Sequence, residues 1–509
     1  MASEDIDDMS VPEEVAERLP ILGDNTQNGA ETQTKVYSRR WYVLCVFCLG
    51  CFSQACIWNT WGPITESAEV VFGWKDSTIG MLANYGNIAF LITVFPMCYF
   101  VDVKGLRISM IICSFLVMVA TCIRCITMES TAFTWLANIC AVLNGIGGCV
   151  PFAGPAALSS VWFPLEQRAT ATAVVSFANY FGVASAFVIG PLLVTSPKYV
   201  EVNSTEHRLW SEQFAPSVLV IQDDKNNSHR EVTNRSELET DIKHLLYLHA
   251  GLGIALFLFI LIYFPARPPL PPSPSASVKR TDYMKGVKSL VSNGSVWLIV
   301  LAYAIPTGIL GVWQSVLDVN LKPLGISQDT AGYMGFWQTL AGAASGLVIA
   351  RFSDIFMKRM KIFLIVLFTG SIATSAWFFI LCQKYIPFDI YSLYTACILI
   401  GVFVNGGIPL VYEIACETSY PIAEGVTCGL LTSTNNVIGV CFLFVMLIPN
   451  IGTSWMNEAL LGSTIIALPL LFVFPERYRR TNLDIVINVQ PETGDLQASS
   501  KSDNSHVTT

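Results

Sequence analysis

The chain has 509 residues, of which 53% are hydrophobic and 13% charged, with a formal net charge of −8. A mean hydropathy of +0.52 is too high for a chain that hides its apolar residues in a water-soluble core, so the surplus faces lipid. The acids gather in the tails and one loop, and with no basic stripe nucleic acid is excluded as a partner.

Residues 1–40 are polar and acidic, with Glu4, Asp5, Asp7, Asp8, Glu13 and Glu14, and form a disordered tail without a cleavable signal peptide. Within them Glu17-Arg-Leu-Pro-Ile21-Leu22 is similar to an acidic dileucine sorting signal, which implies adaptor complexes as partners.

Twelve segments of spanning length follow, at 41–63, 79–101, 108–127, 133–161, 169–194, 245–264, 296–318, 329–351, 361–382, 390–416, 423–448 and 459–475. An even count puts both tails on one side, and the distribution of Lys and Arg makes that side the cytosol. The fifteen cysteines, Cys45 to Cys441, all fall in apolar segments and read as packing residues rather than disulfides or metal ligands. No metal or cofactor is expected. No nucleophile–base set or phosphate loop is present either, which argues against an enzyme.

The first segment contains Trp58-Asn-Thr-Trp-Gly-Pro-Ile64, where Gly62-Pro63 ends or bends the helix. Trp58 and Trp61 share a helix face, and Asn59 and Thr60 place polar groups at membrane depth. An interfacial aromatic belt and a binding wall both fit this stretch.

Residues 41–264 make one half of six spans, interrupted by a long loop at 195–244. That loop carries three N-glycosylation patterns, at Asn203, Asn226 and Asn234, which place it in the lumen or outside. Residues 265–292, opening Pro265-Ala-Arg-Pro-Pro-Leu-Pro-Pro-Ser-Pro274, read as a semi-rigid cytosolic tether. The second half covers 293–475, and 476–509 is a cytosolic tail.

The halves are repeats. A shift of 257 aligns Thr170 with Thr427, Ser176 with Ser433, Asn179 with Asn436 and Gly182 with Gly439. With a one-residue slip, Gly148 and Pro151 meet Gly406 and Pro409. This predicts an all-α membrane protein of twelve transmembrane helices in two six-helix pseudo-repeats, the plan of the major facilitator superfamily, with a solute site between halves that rock around it.

Asp102-Val-Lys-Gly-Leu-Arg107 resembles that superfamily's cytosolic loop signature, and Asp354-Ile-Phe-Met-Lys-Arg359 is its counterpart in the second half. The resemblance implies that each Asp meets a helix N-terminus and basic residues, so Asp102, Lys104, Arg107, Asp354, Lys358 and Arg359 are gate candidates. Glu413 is the best buried carboxylate. It is either a proton carrier or, with Glu417 one turn on, a gate residue paired to Arg351, Lys358 or Arg359.

The remaining polar residues at depth are neutral: Asn59, Asn84, Asn87, Asn144, Asn179, Gln314, Gln338, Asn405 and Asn436, beside Trp58, Tyr180 and Tyr303. Each amide serves either a helix–helix hydrogen bond or a ligand. Pro306-Thr-Gly308 predicts a break in the seventh helix just past Tyr303. A neutral aromatic pocket suits a small polar aromatic or a cation over ring faces.

Trp58-Asn-Thr-Trp-Gly-Pro-Ile64, Gly105-Leu-Arg-Ile108, Glu166-Gln-Arg-Ala-Thr-Ala-Thr-Ala173, Tyr303-Ala-Ile-Pro306 and Glu424-Gly-Val-Thr-Cys-Gly429 together resemble solute carrier family 49, over roughly 37–490. The resemblance is to its lysosomal branch. It implies a lysosomal carrier exporting a small neutral or cationic solute, pyridoxine, with protons. In choline- and ethanolamine-transporting relatives a Trp of the first span and a Tyr of the seventh bind solute, matching Trp58 and Tyr303. Those relatives' Gln positions in the fifth and eleventh spans read Tyr180 and Asn436 here, which tells against choline. The expected site is Trp58, Asn59, Asn179, Tyr180, Tyr303 and Asn436. Two alternatives are a plasma-membrane facilitator for choline, ethanolamine or haem-like solutes, and a non-transporting receptor or scaffold using the linker and acidic tail.

Overall fold

The computed structural model describes residues 34–74, 76–202, 220–222, 229–232, 234–277, 281–326, 328–355, 359–446, 448 and 451–483. Eleven helical stretches among the described residues are long and apolar enough to cross a membrane. Gln328–Ile355, 28 residues long, takes the place of the eighth span and completes twelve. One end of the bundle carries the N- and C-terminal segments and is called the tail face; the other carries 195–244 and is called the loop face. On the loop face, strands Tyr199–Val202, Val220–Gln222 and His229–Val232 form a small antiparallel sheet in the order first–third–second.

Helix breaks follow local chemistry. The first span runs Arg39–Trp58, stops at Asn59-Thr60, and resumes through the turn Gly62–Ile64 into Thr65–Phe72. Thr60 Oγ1 donates to the Ile57 carbonyl at 2.7 Å and takes up an acceptor freed by the stop. The tenth span breaks likewise into Ile390–Gly406 and Ile408–Ser419, with Pro409 in the first turn of the second piece. The seventh does not break. It runs unbroken from Gly294 to Ser315 with Pro306 inside, contrary to the sequence expectation. The Thr307 hydroxyl donates to the Tyr303 carbonyl at 2.7 Å there.

Glycines let the helices of each half touch, and the repeat shows in where they do. A Cβ on Gly145 of the fourth span would lie 2.3 Å from the Gly86 carbonyl of the second. In the other half, a Cβ on Gly401 of the tenth would lie 2.2 Å from the Gln338 carbonyl of the eighth. Lipid gives helices no hydrophobic drive to associate, so such close backbone contact supplies the packing energy.

The core shows which end is shut. One buried apolar cluster runs across both halves and includes Phe47, Cys98 and Leu158 of the first and Leu410, Ile414 and Val426 of the second. Near the loop face it is replaced by two separate clusters, one per half: Trp61, Phe72, Trp74 and Phe133 in the first, Trp313, Leu317, Phe378 and Met456 in the second. The halves are fused at the tail face and separate toward the loop face.

Two interruptions differ from their sequence reading. The linker is not a free tether: Pro272, Ser273, Pro274 and Ser275 are buried against the bundle. The last tail begins with an ordered stretch, in which residues 479–483 are helical and Arg480 is 1% exposed.

Candidate functional site

The tail-face closure centres on the start of the eleventh span, Glu424–Met446. Asp102 Oδ1 accepts from Gly425 N–H and Oδ2 from Val426 N–H, both at 2.9 Å. A carboxylate thus meets two of the orphan donors at the positive end of a helix. A Cβ on Gly425 would lie 2.4 Å from Asp102 Oδ1, so only glycine admits the contact. Gly105 turns the chain after Asp102 with φ of 91°, a region that suits glycine alone. Nearby, Cys98 Sγ donates to the Gly425 carbonyl at 3.1 Å and the Tyr283 hydroxyl donates to the Phe95 carbonyl. Lys104, Arg107 and Arg359 are exposed. The Asp354 side chain and Lys358 lie outside the described residues.

Glu413 and Glu417 lie one turn apart on Ile408–Ser419, and among the described residues their cation is neither Arg351 nor Arg359. It is Arg480. Its Nη2 is 2.6 Å from Glu413 Oε2, its Nε 3.1 Å from Glu417 Oε1, and its Nη1 3.7 Å from Glu424 Oε1. The Arg480 and Thr481 N–H groups donate to Glu417 Oε2 at 3.1 and 3.0 Å, so Glu417 also caps the short terminal helix. Glu413 Oε1 reaches the other half, accepting from Thr172 Oγ1 at 2.9 Å and Ser159 Oγ at 3.5 Å. One buried centre therefore ties the terminal segment to spans of both halves. Sequence reasoning missed it, because Arg477, Arg479 and Arg480 read as one positively charged flank and nothing in their order singles out the third.

Deeper in the bundle the wall is aromatic and neutral. Tyr303 is buried and meets Tyr412 edge-on, with centroids 5.7 Å apart and planes at 89°. Tyr412, which the sequence reading passed over, shares a 2.9 Å hydrogen bond with Thr432. Tyr180 of the first half packs against the same buried cluster that holds both tyrosines. Trp58 is half-buried, its ring over Gly86 and Gly148 of its own half, and no ring contact joins it to Tyr303. Asn59 Nδ2 and Asn179 Nδ2 are buried with no protein partner, and Asn436 is half-buried. The structure thus gathers Tyr180, Tyr303 and Tyr412 where the halves meet and sets Trp58 apart on the first half.

One open choice is decided and two expectations change. Asn144 and Gln314 are helix–helix clamps: Gln54 and Asn144 exchange side-chain-to-carbonyl bonds of 3.2 and 3.3 Å, and Gln314 Nε2 donates to the Gly335 carbonyl at 2.8 Å. Trp61 is no lipid-facing belt residue. It is buried edge-on to Trp74 at 5.0 Å and Phe133 at 5.8 Å, because the break at Asn59 to Thr60 turns it inward. Asn234 is 8% exposed, with Nδ2 donating to the Ser196 carbonyl at 3.2 Å and Oδ1 accepting from Lys198 N–H at 3.0 Å. A glycan needs that nitrogen exposed, so the geometry does not fit a glycosylated Asn234. Asn203, Asn226, Glu17, Ile21 and Leu22 lie outside the described residues.

Residues 43–205 match the Major Facilitator Superfamily family description. The solute carrier family 49 member 4 homolog of Xenopus tropicalis is 36% identical over 478 residues, covering 93% of this chain and 98% of that protein. The choline/ethanolamine transporter FLVCR1 of Mus musculus is 26% identical, covering 85% of this chain and 74% of its own length. Among solved structures, the E. coli fucose:proton symporter FucP superposes with a TM-score of 0.60 at 14% identity, over 85% of this chain and 98% of that one.

Proposed function

The chain belongs to solute carrier family 49 and is a multi-pass membrane transporter of the major facilitator superfamily, and we propose that it exports pyridoxine from the lysosome to the cytosol by alternating access. The observation that carries the solute class is the aromatic wall of Tyr180, Tyr303 and Tyr412 where the halves meet, with Trp58 apart on the first half. A pyridine ring stacks on such a wall, and its hydroxyls suit the unpartnered amide donors of Asn59 and Asn179. Asn436 of the eleventh span completes the set.

In this reading the tail face is cytosolic and the structure is the lumen-facing state, held shut by Asp102 and by Arg480 with Glu413. The Asp354, Lys358 and Arg359 loop is the second gate element. Glu413 is the candidate for proton coupling to the solute, and in this state Arg480 pairs with it. Glu17, Ile21 and Leu22 direct the protein to lysosomes through adaptor complexes, and Asn203 and Asn226 carry the luminal glycans.

The test is uptake of labelled pyridoxine by cells in which Leu22→Ala sends the protein to the surface, at acid outside pH. Uptake equal to mock-transfected cells refutes the substrate. A second reading, choline or ethanolamine, rests on the aromatic faces of Trp58 and Tyr303 and on the similarity to the choline/ethanolamine transporter FLVCR1. Labelled choline in the same cells separates the two.

A further inference from the structure

The proline-rich strap between the halves is seated at the tail face by two serines. Ser273 is 5% exposed and Ser275 is 0% exposed. The strap is pinned on both flanks: the Lys35 N–H donates to the Pro271 carbonyl at 3.0 Å, and the Thr281 N–H to the Pro421 carbonyl at 3.3 Å. Its seat is Arg168, 2% exposed at the start of the fifth span. Arg168 Nη2 donates to Ser273 Oγ and, at 3.0 Å, to Ser275 Oγ, and the two hydroxyls lie 3.2 Å apart. Arg168 also lines, with Glu413, Glu417 and Arg480, a cavity of about 20 Å³. That is room for about one water molecule. Arg168 therefore touches the strap on one side and the gate's cavity on the other.

We propose that Ser273 is a phosphorylation site for a proline-directed serine/threonine kinase, reachable only when the tail face opens, and that its phosphorylation keeps the strap out of its seat. Pro274 follows Ser273 and supplies the recognition feature of that kinase class. In the reaction the bond between the γ-phosphorus of ATP and its bridging oxygen breaks and a P–O bond to Ser273 Oγ forms. The hydroxyl proton passes to the kinase's base, and ADP leaves. The product carries about −1.5 to −2 charge and three acceptor oxygens. Arg168 attracts such a group, but the closed seat already packs two neutral hydroxyls against that guanidinium. Ser273 is 5% and Ser275 0% exposed, so a phosphate group does not fit between the strap and the guanidinium. Pairing of phosphate with Arg168 thus requires the strap to sit outside its seat, which opposes reclosure of the tail face.

The inference rests on the proposed cytosolic placement of that face, where ATP is present, and its test needs no transport substrate. Full-length protein in lipid nanodiscs is treated with ATP and a proline-directed kinase, and phosphate on Ser273 is quantified by peptide mass spectrometry. Asp102→Asn, which loosens the closed state, is expected to raise the phosphorylation rate about tenfold, and Ser273→Ala to abolish incorporation at this peptide. In a Ser275→Cys background, phosphorylated protein is expected to react with a bulky maleimide at position 275 about tenfold faster than unphosphorylated protein. Equal phosphorylation of wild type and Asp102→Asn, absence of phosphate from both, or unchanged maleimide reactivity each overturns the proposal. Failed pyridoxine uptake alongside a positive result here refutes the substrate and leaves the strap mechanism standing.

Discussion

Arg480→Gln tests whether the terminal segment holds the tail face shut. The substitution removes a guanidinium lying 2.6 Å from Glu413 and 3.1 Å from Glu417, both 2% exposed, and leaves their carboxylates buried without it. Removing one partner of a buried ion pair costs about 3–5 kcal/mol. If Arg480 withdraws on opening, that cost falls on the closed-tail state alone. The opening equilibrium then shifts roughly 150-fold to about 4,000-fold toward the tail-open form. The assay is maleimide reactivity of a Ser275→Cys reporter from the tail face, with monodispersity and thermal unfolding checked first. Glu413→Gln together with Arg480→Gln should recover much of the lost closure, since no bare charge then faces Thr172 and Ser159. A folded Arg480→Gln protein whose reporter reacts no faster than wild type refutes the latch.

Four further outcomes follow from the same geometry. Gly425→Ala puts a Cβ 2.4 Å from Asp102 Oδ1 and should raise tail-face reactivity as Asp102→Asn does, each lost bond to the charged acceptor contributing about 1.5–3 kcal/mol. Gly145→Ala pushes a Cβ to 2.3 Å from the Gly86 carbonyl and should lower the thermal midpoint by several degrees, consistent with an overpacking cost of about 1–3 kcal/mol; a midpoint unchanged within error contradicts the close packing. Trp58→Ala and Tyr303→Ala should reduce solute uptake without altering abundance, whereas Trp61→Ala, cut from a buried aromatic cluster, should cost about 3–5 kcal/mol and lower abundance instead. Asn234→Gln should leave electrophoretic mobility unchanged, and a shift equal to that of Asn203→Gln would show the loop folds differently from the structure.

What sequence could and could not supply divides by the range of the interaction. The twelve-helix plan rests on hydropathy and on repeated Thr, Asn and Gly positions, which are local and period-bound, and it was legible. The break after Trp58 was legible too, because Gly62-Pro63 forces it. The predicted break in the seventh span failed at the same residue type. Pro306 removes only the donor to the Ala302 carbonyl, and a helix packed closely at Gly308 against the eleventh span tolerates that loss and runs on. Arg480 was illegible for a different reason. Its burial depends on three carboxylates between 56 and 67 residues away, Glu424 and Glu413 marking the limits, and no spacing rule reports a partner at that range. The inward turn of Trp61 and the bonded amide of Asn234 are likewise set by tertiary neighbours rather than by their own motifs.

The distribution of polar contacts gives the closed face its character. A seal made only of apolar packing separates continuously and offers no defined trigger. Here the seal carries three polar ties that a charge can address: Asp102 on the N–H groups of Gly425 and Val426, Arg480 among Glu413, Glu417 and Glu424, and Arg168 on the two strap serines. Two of these converge, since Arg168 and Arg480 line one small cavity with Glu413 and Glu417. Cations and carboxylates at one buried point stabilise each other only while all are in place, so loss of any one weakens the rest. Opening at this face should accordingly be cooperative: the strap, the terminal segment and the tenth span should release together. A Ser275→Cys reporter and a second one placed at Thr481 would then gain reactivity in parallel in every gate variant, and a variant that frees one position while the other stays protected would show the ties to be independent.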